Sequence, residues 1–308
     1  MAAITAKMVS ELRAKTNAGM MECKKALSEA NGDFDEAAKI LRERGLAGAA
    51  KKAGRIAAEG IVDIMVDGDK AVIIEVNTET DFATKNEVFK EFVTGVEKAI
   101  IANKPADVDA LLALDFEPGL TIDEKLKEMI GSVIRENMSI RRFALIEGTT
   151  ATYVHGGGAA GVIVKFNADD AAKSNAGFAE FAKNIALQIA AGNPPSYVTR
   201  DEVPASAVEE EKQVILNTIK NDPKNANKPE AILEKMVQGK IGKFYERVCL
   251  VDQAYVKDDA ITVGKYIANC AKEFGGDISV DSFVLYEMGE GLEKKEDNFG
   301  SEIAELLK

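Results

Sequence analysis

Tryptophan is absent, and histidine occurs once, as His155, in 308 residues. A single imidazole leaves no multi-histidine metal centre. Cysteine occurs three times, as Cys23, Cys249 and Cys270, scattered and without a C-x-x-C pair. An odd, dispersed set argues against a disulfide framework and reads as small core residues in a reducing compartment. No stretch approaches the roughly 18 apolar residues of a membrane-spanning helix. The opening, Met1-Ala2-Ala3-Ile4-Thr5-Ala6-Lys7, lacks the apolar core of a signal peptide. The expected location is the cytoplasm. Basic residues are the minority, 39 against 51 acidic ones, for a net charge of −12. Such a chain is a poor general binder of nucleic acid or anionic membranes. What is present, 46% apolar and 29% charged residues, is the composition of a folded globular protein. Its length suits about two domains of roughly 150 residues.

Charge is unevenly spread. Residues 1–55 hold 11 basic and 7 acidic side chains, net +4, which leaves −16 on the remainder. Three short helices are predicted here. Thr5 caps the first, which carries Met8, Val9 and Leu12. Asn17-Ala18-Gly19 breaks it, and residues 20–30 form the second. Asn31-Gly32-Asp33 breaks again, and Asp33 caps a third with Ala37, Ile40 and Leu41 inward. Residues 47–58, rich in Ala, Gly and Lys, read as a linker or a loosely helical connector.

An internal repeat follows. Residues 86–105 align without gaps to 175–194 and share Asn86/Asn175, Phe89/Phe178, Glu91/Glu180, Phe92/Phe181, Ile100/Ile189, Ala102/Ala191 and Pro105/Pro194. Phenylalanines three apart, followed by aliphatics at helical spacing, mark one buried helix face in each copy. A hairpin is predicted before each helix: 61–66 with 71–76 around Asp67-Gly68-Asp69, and 149–154 with 161–166 around a glycine run. A closing strand recurs as well, with Ser139/Ser279, Phe143/Phe283, Leu145/Leu285 and Glu147/Glu287 in step. The second copy carries an insertion. Residues 201–220 and 229–244 look helical, striped by Val208, Ile215 and Ile219 and by Ile232, Leu233, Met236, Val237 and Ile241. Stripes of that width on consecutive helices suggest an antiparallel, coiled-coil-like hairpin, either a solvated arm or a partner-binding one. The end of the chain, 296–308, reads as a short amphipathic helix with Phe299, Ile303, Leu306 and Leu307.

Catalytic motifs do not assemble. Gly156-x-Gly158-x-x-Gly161 spells a dinucleotide fingerprint, but the following Val162-Ile163-Val164 continues as a strand where the fingerprint needs a helix. His155-Gly156-Gly157-Gly158 spells a lipase oxyanion loop, yet the chain holds no Gly-x-Ser-x-Gly. What remains is a glycine-rich hairpin tip presenting His155. Two other segments resist explanation by folding alone. In 12–27, Met20 and Met21 stand beside a helix break among cations, which suits an adaptable protein-binding surface, although core positions are also consistent with the pattern. In 75–86 a buried strand runs into Asn77-Thr78-Glu79-Thr80-Asp81-Phe82. There, Thr80 or Thr84 is a candidate N-cap with Phe82 as a hydrophobic staple, or Phe82 is an anchor for a partner pocket.

These two segments, 12–27 and 75–85, resemble the signature segments of the bacterial elongation factor Ts family, the guanine-nucleotide exchange factors of the GTPase elongation factor Tu. Ala83 stands where the family typically has Val, and Thr78 where it often has Cys or Ser. The resemblance implies an α+β fold. Its parts are an N-terminal three-helix ubiquitin-associated-like module (1–55), a duplicated core of two hairpin–helix–strand subdomains (56–147 and 148–287), a helical hairpin inserted at about 201–244, and a C-terminal helical module (288–308). It implies a translation factor that binds elongation factor Tu–GDP and promotes exchange for GTP without covalent chemistry, cofactor or metal. Thr80, Asp81, Phe82 and Ala83 would enter the GTPase beside its Mg²⁺ and nucleotide. Arg13, Met20, Met21 and His155 would make further contacts, with no direct nucleic-acid or membrane partner and self-association left open. The competing expectation is a protein-binding scaffold that does not catalyse exchange.

Overall fold

Side-chain caps and left-handed stops delimit the first helices. In the computed structural model, which describes residues 4–191, 193–225 and 228–293, Thr5 accepts the Met8 N–H at 3.3 Å and opens α1 (Ala6–Thr16). Asn17, at φ 53°, ends it in the left-handed region that asparagine tolerates. After α2 (Met20–Glu29), the Asp33 carboxylate accepts the Glu36 N–H at 2.8 Å and opens α3 (Phe34–Ala50). Leu12, Cys23, Ala26, Leu27 and Ala37 seal the space between these helices. The third helix continues as far as Ala50, through the first third of the stretch expected to be a loose connector. The reason is packing. Gly45 and Gly48 lie so close to Gly131 that a Cβ on Gly131 would strike the Gly45 backbone, so close approach outweighs the poor helix propensity of glycine.

Contacts divide the chain into two units. One gathers the chain through Leu145, Gly156–Ala160 and the chain from Tyr286; the other holds Ile146–His155 and Gly161–Leu285. In the first unit, β1 (Glu59–Asp67) pairs antiparallel with β2 (Lys70–Thr78), Val66 opposite Ala71, around the expected tight turn. The chain continues through α4 (Asp81–Thr84), α5 (Glu87–Asn103), α6 (Val108–Leu112), the small pair β3 (Asp115–Glu117) and β4 (Leu120–Thr121), and α7 (Ile122–Glu128). A π-helical turn over Met129–Val133 leads to β5 (Met138–Glu147). The sheet order is β1-β2-β5. Strand β2 is central and buried at every position but its first. Phe89, Phe92, Val96 and Ile100 of α5 pack on Val72, Ile74 and Val76, one apolar helix stripe against one sheet face.

The second unit contains β6 (Thr150–His155), β7 (Ala160–Ala168), α8 (Asp170–Ser174) and α9 (Phe178–Ala190). Two long helices, α10 (Ala205–Asn221) and α11 (Glu230–Val248), come next. The unit closes with β8 (Ala254–Tyr255), β9 (Asp258–Thr262), α12 (Val263–Phe274) and β10 (Ile278–Glu287). Its sheet runs β10-β7-β6, and Phe181, Ile185 and Ile189 of α9 pack with Val162, Val164 and Phe166. Ile219, Leu233 and Val237 form a small cluster between α10 and α11. Among the described residues no helix is long and apolar enough to cross a membrane. The helix expected over 296–308 lies outside the described residues.

Candidate functional site

Strand β2 ends at Thr78, and the chain bends sharply. The Thr78 hydroxyl donates to the Thr80 carbonyl at 2.8 Å, closing the bend on itself. The Glu136 carboxylate then takes both donors of Thr80, the backbone N–H at 2.9 Å and the hydroxyl at 2.7 Å. Glu79 does the reverse, accepting the Asn137 N–H at 2.6 Å while Arg55 reaches it at 3.4 Å. Residues 81–84 make a single helical turn. Ala83 points inward and is buried, whereas Phe82 is 75% exposed. Lys85 joins the outer face of the turn, its Nζ 2.7 Å from the Asp81 carboxylate and 5.0 Å from the centre of the Phe82 ring.

This geometry rules out the staple reading of the segment. Asn86, not Thr80 or Thr84, caps α5, accepting the Val88 N–H at 2.9 Å. Thr84 spends its hydroxyl on the Asp81 carbonyl at 2.8 Å. With three-quarters of its surface in solvent, Phe82 staples nothing. Ala83 fills the buried foot of the turn; Val there would bring two more methyl carbons to a closed site.

The other candidates occupy separate places. Met20 and Met21, 56% and 63% exposed, open α2 and line a groove of about 340 Å³ with Ile4, Ala6, Val9, Ser10 and Lys24. Arg13 is exposed on α1. A flexible, polarizable lining on a rigid three-helix base suits an adaptable protein contact. His155 is exposed at the end of β6, its Nδ1 3.2 Å from the Tyr153 hydroxyl. Gly156, Gly157 and Gly158 all have positive φ. The Gly158 carbonyl accepts the Val62 N–H at 2.8 Å, and Gly158 sits against Ile61 where a side chain would collide. The glycine run therefore serves a tight turn and a close backbone approach. Gly161 continues into β7, as the sequence pattern required.

Sequence reasoning missed Glu79, Glu136 and Lys85. The first two lie more than 50 residues apart in the chain and meet only through the β2–β5 neighbourhood, so no local spacing announces them. Lys85 had a signal, the i,i+4 relation to Asp81. Among the described residues no group of three His, Cys, Asp or Glu side chains stands where it could hold a metal ion.

An exposed aromatic on a turn that follows the buried strand β2 and is braced by Glu136 has the form of a protein-docking element. Comparison with known proteins gives that form a class. Residues 79–290 match the family described as Elongation factor TS. The chain is 46% identical over 310 residues to Elongation factor Ts of Syntrophotalea carbinolica, covering 99% of each. It is 45% identical over 312 residues to Elongation factor Ts of Clostridioides difficile, covering 100% of each. The protein is therefore a translation elongation factor with a mixed helix-and-sheet fold. The chain belongs to the elongation factor Ts family.

Proposed function

We propose that this factor binds the GTPase elongation factor Tu in its GDP-bound form and promotes GDP release and exchange for GTP. The observation that carries the reading is the Phe82 ring, held out to solvent on a turn whose leading residue, Thr80, is tied down by Glu136. In a GTPase, GDP is held through Mg²⁺ and phosphate contacts. A factor that prefers the nucleotide-free state weakens nucleotide binding by the factor with which nucleotide weakens its own. No bond is made or broken, so the contribution is binding energy alone. Thr80, Asp81, Phe82 and Ala83 form the element that enters beside the Mg²⁺ region, Phe82 as the ring and Asp81 as a charge next to it. Arg13, Met20, Met21 and His155 supply contacts elsewhere on the partner. Burying one ring yields roughly 1.5–3 kcal/mol, about one to two decades in an equilibrium constant, so these wider contacts are needed to sustain the complex.

The modules follow from the same reading. Residues 1–55 form a ubiquitin-associated-like module, 56–147 and 148–287 are two copies of one α+β subdomain, about 201–244 is an antiparallel helical arm, and 288–308 is a C-terminal module. The shared run of hairpin, helix and closing strand supports the duplication. The factor acts in the cytoplasm on a protein partner, with no cofactor and no direct contact with nucleic acid or membrane. Stopped-flow release of fluorescent GDP from elongation factor Tu tests this. Micromolar factor is expected to accelerate release strongly. Complex formation with unchanged release would leave a scaffold that binds without exchanging.

A further inference from the structure

We infer that Glu136 is the positioning residue of the exchange turn: its carboxylate sets the direction in which Phe82 is presented. The inference rests on the exchange reading above. Three observations carry it. First, Glu136 takes both hydrogen-bond donors of Thr80, at 2.9 and 2.7 Å, and Thr80 is the last residue before the turn that lifts Phe82 out. Two bonds from one carboxylate to one residue fix an orientation, where a single bond leaves a pivot. Second, the tie is reciprocal. Glu79 accepts the Asn137 N–H at 2.6 Å, so each chain segment caps a backbone amide of the other, one just past the end of β2 and one just before the start of β5. Third, Glu136 stands on a firm base. Arg135 before it is held at φ 67°, a left-handed conformation that a side chain adopts at a cost. The preceding π-helical turn is locked by Ile134 N–H to the Met129 carbonyl at 2.8 Å and by Lys52 Nζ to the Ile130 carbonyl at 3.1 Å. Gly131 is pressed against Gly45 of α3. A π-turn followed by a strained residue, ending in a carboxylate aimed at the turn, is the pattern expected where a fold spends stability on placing one group.

Phe82 is free of this network except through its backbone, so Glu136 acts on the ring only by orienting the turn. Its loss should therefore lower the maximal rate of GDP release far more than it raises the factor concentration needed for half-saturation, which the wider contacts set.

The test compares Glu136→Ala, Glu136→Gln, Phe82→Ala and the double variant Glu136→Ala/Phe82→Ala in stopped-flow release of fluorescent GDP from elongation factor Tu, across factor concentration. Glu136→Ala is expected to cut the maximal rate about tenfold or more, with half-saturation changed by less than about threefold. Glu136→Gln should recover most of that loss, because its amide oxygen can accept the Thr80 N–H while its NH₂ donates to the Thr80 hydroxyl. In the Phe82→Ala background, Glu136→Ala should add almost nothing, since both changes remove one presented ring. Thr80→Val, which removes only the hydroxyl bond, gives an intermediate loss and keeps the test open should Glu136→Ala fold poorly. The inference is overturned if Glu136→Ala releases GDP at the wild-type maximal rate, or if its loss multiplies fully with that of Phe82→Ala. Failure of wild-type factor to accelerate release would overturn the exchange reading itself, a separate result.

Discussion

Phe82 contributes little to its own fold, because most of its surface already faces water. Phe82→Ala should accordingly move the thermal midpoint by no more than about 1 °C while lowering the maximal rate of GDP release by about one to two decades. Parallel losses of stability and activity would return the ring to a structural role. Glu97 is the opposite case. It lies buried on α5 with Oε1 unpartnered among the described residues. Burial, with the Asp63 charge as a smaller cause, pushes its carboxyl up to about 8. A raised carboxyl binds its proton more tightly folded than unfolded, so stability is full below the ordinary carboxylate range and falls as pH climbs toward about 8. Glu97→Gln, an uncharged stand-in for the protonated acid, should match wild type near about pH 5. It should exceed wild type near about pH 9 by on the order of a few kcal/mol. Thermal unfolding at the two pH values checks this, and an equal gap at both would contradict it. Neither residue's setting was legible beforehand. The pattern around Phe82 suited a staple as well as an anchor, and the capping of α5 by Asn86 with the exposure of the ring removes the staple. Glu97 sits on a helix whose stripe was read correctly, but its burial depends on what covers that face.

At the scale of elements, the best-read features were those with local periodicity. The Phe89/Phe92 and Phe178/Phe181 stripes, both hairpins and both closing strands appear within a few residues of their expected bounds. The arm is shifted, its second helix running to Val248 where 244 was expected, with Phe244 packed on Val203 at its root. Residues 106–137 went unread, because short helices, a two-residue strand and a π-turn carry no repeating pattern and are held by distant partners. Glu75 belongs to the same class of long-range feature. It is fully buried on β2 and paired with Arg141 at 3.0 Å and Arg142 at 2.6 Å, and it accepts the Gly289 N–H at 2.8 Å. Arg142 also lies 4.2 Å from the centre of the Tyr286 ring. Burial alone would raise this carboxyl; the Gly289 N–H, the two guanidinium groups and the Asn77 amide hold it below its usual range. Its contribution is therefore present above the ordinary carboxylate value and lost as pH falls through the depressed one. Glu75→Ala should cost on the order of 3 kcal/mol, since it removes the buried carboxylate that both guanidinium groups share and leaves Arg142 only its Glu290 pair at 3.0 Å. It should also speed amide exchange at Gly289. Unchanged protection at Gly289 would mean that the carboxylate does not anchor the chain beyond β10.

For the whole molecule, the chain divides into two units, the first of which carries the three N-terminal helices and the exposed Phe82 ring. This arrangement suits a catalyst that works by binding alone. The segment holding Phe82 lies at the start of the family match, at residue 79. The two long relatives extend the likeness through the N-terminal helices. By linkage, the factor and GDP must weaken each other equally on the GTPase, and the Phe82 ring should carry about one to two decades of that mutual effect. The most direct measurement is the affinity of elongation factor Tu for Mg²⁺–GDP, free and saturated with factor, for wild type and Phe82→Ala. The account predicts weaker GDP binding in the wild-type complex and a clear recovery with Phe82→Ala. Identical GDP affinity with and without wild-type factor would contradict it.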